Sequence, residues 1–214
     1  MATHLEKEAQ VEALKRWWKA NGSSIIAGVV LGLAGIFGWN TWQNHQRTQA
    51  RQSSQLYSQL LGAVEQKQYE LAEGIAQRLT SEYGKTAYAD FARLFQAKVA
   101  VEKGQLEEAK KSLGMLLTSS HDINFRHIAR MRQARVFLAM GNPDDGLKVL
   151  SSGEAVNPGR FAGQYEEIKG DLYYALGKIP QAREAYRKAI ALGRTHAYLE
   201  TKLNDLAPAS SVDK

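Results

Sequence analysis

The sequence predicts an all-α protein: one N-terminal transmembrane helix followed by a solenoid of helical hairpins. Two observations carry this. Residues 20–46 contain no Asp, Glu, Lys or Arg. Farther along, a small residue recurs at positions 72, 109, 146 and 182, each just after the turn of a helical hairpin.

The apolar part of the first feature, residues 23–42, reads SSIIAGVVLGLAGIFGWNTW. In an α-helix this length spans roughly 30 Å, the hydrocarbon thickness of a bilayer. Trp39 and Trp42 stand at one end and Trp17 and Trp18 near the other, where interfacial aromatics belong. The preceding segment carries Glu6, Glu8 and Glu12, and the run ends on bulky residues rather than a small-x-small cleavage site. Both features favour an uncleaved signal anchor over a signal peptide. Lys15, Arg16 and Lys19 precede the span and Arg47 and Arg51 follow it. This slight basic excess favours a cytoplasmic N-terminus.

Four segments follow. Residues 1–22 form a short cytoplasmic stretch, with an amphipathic helix over 5–20 (Val11, Leu14, Trp18) for which Asn21-Gly22 supplies an expected stop, or which runs straight into the span. Residues 23–42 span the membrane. Residues 43–206 form the helical-repeat domain, and its first part, 43–55, lacks Pro and Gly and continues the helix outward. Residues 207–214 form a disordered tail of small and polar side chains. Within the span, Gly28, Gly32 and Gly35 fall on one face, a stripe that lets another membrane helix approach closely.

The clearest hairpin is GDLYYALGKIPQAREAYRKAI. Gly170, Tyr173, Gly177, Ala182, Tyr186 and Ala189 hold the spacing of a tetratricopeptide repeat. Gly177 turns the chain, Ala182 and Ala189 let the paired helices touch, and the two tyrosines fill the space between. Upstream, Gly141 and Gly146, Gly104 and Ala109, and in a degenerate unit Lys67 and Ala72, take the turn and small positions. Leu199, Leu203 and Leu206, after Thr195, mark a capping helix over the last repeat.

Catalytic patterns are absent from the sequence, and neither an enzyme nor a cofactor is expected. The chain has no cysteine, which removes disulfides, thiolate metal sites and a cysteine nucleophile. The five histidines are scattered without HExxH spacing and read as surface or loop residues. Gly84-Lys85-Thr86 resembles the end of a phosphate loop, but Leu79 occupies the place of its first glycine, so it reads as an interhelical loop. Carboxylates, Glu166 among them, are expected on exposed helix faces. The net charge of +6 comes without a basic stripe interleaved with aromatics, so no nucleic acid is implied.

At the N-terminus the run EAQVEALKRWWKANG, the Gly-rich span and GWNTWQNHQ resemble the YfgM family, the ancillary subunit of the SecYEG translocon. The likeness covers nearly the whole chain. It implies a bacterial inner-membrane protein, single-pass, with the N-terminus cytoplasmic and the repeats periplasmic. It further implies association with SecYEG and the membrane-anchored prolyl isomerase PpiD, as a chaperone-like helper for emerging polypeptides. Gly146, where the repeats usually carry alanine, is a departure expected to loosen the third hairpin. The alternative is a membrane-tethered scaffold docking one defined envelope or signalling partner.

Repeat arrays present the first helix of each pair along a concave face. The expected binding positions are Phe91, Leu94 and Lys98, then Met131, Arg135 and Leu138, then Asp171 and Tyr174. An apolar groove dotted with Lys and Arg suits unfolded or extended polypeptides.

Overall fold

A computed structural model describes residues 2–206, with side chains from residue 10 onward except Glu154. The expected disordered tail, 207–214, lies outside the described residues. The chain divides into two compact units, Met1–Arg51 and Gln52–Lys214.

The first unit is helical and belongs to α1 (Ala2–Glu65), whose last turns lie in the second unit. It holds the one helix among the described residues long and apolar enough to cross a membrane, and its apolar side chains stand exposed. Of the two courses the sequence allows at Asn21-Gly22, the helix takes the continuous one and runs on into the apolar stretch. The Asn21 side-chain amide donates to the Trp17 carbonyl at 3.0 Å, inside the helix. A β-carbon at residue 22 would meet the Trp18 ring at 3.2 Å, so the indole covers the bare backbone. A single glycine costs only about 1 kcal/mol in a helix interior, too little to break one flanked by good helix formers.

In the second unit, α2 (Tyr69–Glu82), α3 (Ala87–Glu102), α4 (Leu106–Ser119), α5 (Ile123–Ala139) and α6 (Pro143–Val149) follow. Two short 3-10 turns, Gly153–Val156 and Gly159–Phe161, lead into α7 (Ala162–Ala175), α8 (Ile179–Ala191) and α9 (Ala197–Asp205). The end of α1 pairs with α2, α3 with α4, α5 with α6 and α7 with α8, giving four hairpins in the expected register.

Each hairpin turns in the same way. Gly104, Gly141 and Gly177 have φ of 74°, 77° and 68°, and Lys67 holds the equivalent place in the first repeat at φ 58°. The next amide reaches back five residues each time: Gln68 to Ala63, Gln105 to Ala100, Asn142 to Phe137 and Lys178 to Tyr173, at 2.8–2.9 Å. This is the closure that satisfies the last carbonyls of a helix. Side chains start several first helices: the Thr86 hydroxyl accepts from Ala89 N, and the Asp122 carboxylate from Asn124 N. Pro143 and Pro180 sit in the first turns of α6 and α8, where the missing N–H is not needed.

Ala72, Ala109 and Ala182 are fully buried, and Gly146 holds the same place. Gly146 does not loosen its hairpin. A β-carbon there would come within 2.7 Å of the Leu172 side chain and 3.1 Å of the Ala134 carbonyl, so the glycine admits a closer approach than alanine allows.

The cores are strung along the array. Leu56, Leu60 and Leu79 fill the first, Leu113, Leu116 and Phe125 the second, and Leu150, Tyr165, Ile168 and Leu172 the third. Ala182, Tyr186, Ala189 and Leu199 form the fourth, with Leu203 and Leu206 packed against it. Helix α9 is the expected cap, entered through His196 rather than Thr195; the His196 ring nitrogen accepts from Leu199 N at 3.2 Å.

Candidate functional site

The first helices of successive repeats face one another across recesses that the described residues leave open. Between α3 and α5 lies a recess of about 340 Å³ lined by Ala97, Lys98, Val101, Glu102, Leu113, Arg132, Arg135, Val136 and Ala139. The alternation of small and branched apolar residues on the two helices makes its floor; the charged side chains rise from the outer turns. A second recess of about 450 Å³ is lined by Leu138, Asp171, Tyr174, Ala175, Tyr186, Tyr198, Thr201, Lys202, Asp205 and Leu206. There Lys202 Nζ lies 2.6 Å from the Asp171 carboxylate and 4.6 Å from the centre of the Tyr198 ring, a cation-π contact.

The expected binding residues separate. Lys98 and Arg135 line the first recess, and Leu138, Asp171 and Tyr174 line the second. Leu94 and Met131 do not line either one: each is buried in a core. Phe91 is partly exposed, but lies in an aromatic ladder, 5.3 Å from the Tyr57 ring and edge-on to Phe125 at 4.8 Å. Helical spacing sets further recess residues beside Lys98 and Arg135 at positions that no repeat consensus marks. Val101 follows Lys98 by three residues and Arg132 precedes Arg135 by three, on the same faces. Gly28, Gly32 and Gly35 meet nothing within 4 Å of a would-be β-carbon, so their face is bare.

Several polar residues expected at the surface are buried between repeats. Asp90 accepts from the Ser120 hydroxyl at 2.6 Å and from Arg93 at 3.1 Å. Burial pushes the Asp90 carboxyl up; Ser120 and Arg93 pull it back, and the net is a raised pKa. His127 is not a surface histidine: it is buried, 2.9 Å from the Tyr165 hydroxyl and stacked near Phe161. Glu166 is likewise buried, between Lys169 at 2.9 Å and Lys188 at 3.3 Å. Glu167 accepts from Arg194 at 2.8 Å and faces His196 at 3.3 Å. Burial raises its carboxyl, but the hydrogen bonds and charges of Arg194 and His196 outweigh it and hold it below the usual range. The Tyr186 hydroxyl donates to Asp171 at 2.8 Å, and burial with that acceptor holds the phenol well above its usual range.

Asp90 and His127 each lie fourteen residues before their turn glycine, Gly104 and Gly141, so they occupy one repeat position. These groups are occupied in holding the helices of the array together, and His127 with Tyr165 joins the third repeat to the fourth. Among the described residues no group of three His, Asp or Glu side chains is placed to hold a metal ion.

Fold and recesses together define a tetratricopeptide-like array carried on a candidate membrane-spanning helix. The family model of the tetratricopeptide repeat-like domain matches residues 15–208. The chain is 36% identical over 189 residues to the ancillary SecYEG translocon subunit of Haemophilus influenzae, covering 86% of this chain and 92% of that one. It is 31% identical to the protein of that name from Aggregatibacter actinomycetemcomitans, over 88% of this chain and 91% of that one. The Escherichia coli protein of the same name is 28% identical, over 97% and 100% of the two chains. The chain belongs to this family of ancillary SecYEG translocon subunits. With its one long apolar helix, it is a single-pass protein of the bacterial inner membrane.

Proposed function

We propose that this chain is an accessory subunit of the SecYEG translocon that receives translocated polypeptides on the periplasmic side, acting with PpiD. In this reading residues 23–42 cross the bilayer, residues 1–22 are cytoplasmic and the repeats are periplasmic. The relatives' name supports the association with SecYEG. The slight basic excess ahead of the span supports the orientation.

The observation that carries the receiving role is the α3–α5 recess, apolar-floored and left open by the described residues. An extended segment emerging from a channel exposes apolar side chains that have no other place to bury. The repeats hold and release such segments without chemistry; the relatives are named as subunits.

A photo-crosslinking side chain at Val101, in the full protein in its native membrane, tests this. The expected products are many different secreted polypeptides, together with translocon and PpiD adducts from elsewhere on the protein. One stoichiometric adduct in place of many would support a scaffold for a single defined partner instead. Protease added to spheroplasts should digest the repeats; protection of the C-terminus would reverse the orientation.

A further inference from the structure

The rim of the α3–α5 recess is unevenly charged. Lys98, Arg132 and Arg135 stand around it against one acid, Glu102. Glu102 is engaged by Lys98 at 3.7 Å on the same helix. Arg132 donates to the Leu94 carbonyl at 3.4 Å. The Arg135 guanidinium has no hydrogen bond or ion pair among the described residues. Burial lowers the pKa of Arg132, and the charge of Arg135 lowers it further: two guanidiniums share one edge with no carboxylate between them. An apolar floor beside exposed guanidiniums, one of them without an ion pair among the described residues, is a surface with an unmet electrostatic demand.

We infer that this recess selects polypeptide segments in which an apolar side chain is flanked by a carboxylate, the apolar group resting against Val101 and the carboxylate meeting Arg132 and Arg135. The inference rests on the receiving role proposed above and gives it a chemical preference. A neutral apolar segment fills the floor but leaves the guanidiniums repelling each other. A basic segment adds a further like charge. An acidic-apolar segment satisfies both parts, adding a charge-assisted Arg–carboxylate contact to the burial of its apolar side chain.

Fluorescence anisotropy on the full protein in nanodiscs of neutral lipid tests this. One labelled peptide of about twelve residues carries leucines flanked by glutamates; its counterpart carries lysines in place of the glutamates. The acidic peptide should bind about tenfold tighter at low salt, and the gap should narrow as salt screens the charges. Arg135→Glu should bring the two affinities within about threefold or invert them. Val101→Ser should weaken both peptides. Arg187→Glu, an exposed charge reversal on α8 outside the recess, should leave the preference unchanged. Equal binding of the two peptides, or a preference that survives Arg135→Glu, overturns the inference while leaving the receiving role standing. Binding of neither peptide overturns both.

Discussion

The ring of Tyr186 lies against the bare α-carbon of Gly170: a β-carbon there would come within 2.2 Å of the ring. The two residues are consensus positions of the last repeat, and the contact fixes how α7 and α8 lie together. The same tyrosine reaches Asp171 with its hydroxyl, so the ring cannot move aside without giving up that bond.

Gly170→Ala should therefore cost more than the usual helix-stabilising gain of alanine returns. The expected loss is about 2 kcal/mol, in the range of core overpacking. Ala182→Phe, at a fully buried position between the same helices, should cost about 1–3 kcal/mol. Thermal unfolding of the repeat domain measures both. Unchanged midpoints would show that the register assigned to the fourth hairpin is wrong.

Lys67 and Gly104 occupy equivalent turns but differ in what their backbone tolerates. A non-glycine residue in the left-handed region costs roughly 1–2 kcal/mol. Lys67→Gly should stabilise by up to about 1 kcal/mol, since added chain entropy offsets part of the relief. Gly104→Ala should destabilise by about 1 kcal/mol or more. Opposite signs in paired urea titrations are the expected result.

Glu167 makes stability depend on acid. Its folded pKa lies below the unfolded value, so its contribution is complete above the ordinary glutamate range, near pH 4.3, and is lost as pH falls through the lowered folded value. Asp90 works the other way, its raised pKa giving a contribution lost as pH rises through the folded value. Glu167→Gln should lower the melting point at neutral pH and flatten its fall below about pH 4. An unaltered acid slope in the variant would place the acid sensitivity elsewhere.

The bare glycine face bears on recruitment. Changing Gly28, Gly32 and Gly35 together to leucine should leave insertion intact, because leucine is more favourable than glycine inside a bilayer. It should weaken copurification with SecYEG or PpiD in mild detergent, because close helix approach is lost. Wild-type recovery, with association lost on removing the repeats, would move recruitment to the soluble unit.

The repeat register was legible because a turn and a tight helix contact each demand a small residue, and both demands recur at fixed spacing. Lys67 shows how far this reaches: the degenerate first unit puts Lys67 at the turn and Ala72 at the small position, and that turn adopts the same left-handed conformation without a glycine. The apolar span was legible from its length and lack of charge. Glu166 and His127 were not legible as buried residues. Periodicity tells which side chains share a face, but not whether the next repeat covers that face. Leu94 and Met131 failed for the same reason in reverse, being close enough to the seam to be taken into the cores. Asn21-Gly22 left two courses open because a stop signal acts only where the helix has no reason to continue.

The buried polar contacts along the array each use a different pair of groups. Asp90 meets Ser120, His127 meets Tyr165, and Glu167 meets Arg194 and His196. An array of identical modules can slide by one unit, or exchange a unit with a neighbouring molecule, and still match its own surface. Here a shift by one repeat would set Asp90 where His127 belongs, so that a carboxylate, still held by Arg93 of its own helix, would replace the imidazole that meets Tyr165 and lies near Phe161. The junction at His127 therefore favours the neighbour it has. Shuffling, duplicating or deleting one would create mismatched junctions rather than a longer or shorter working array.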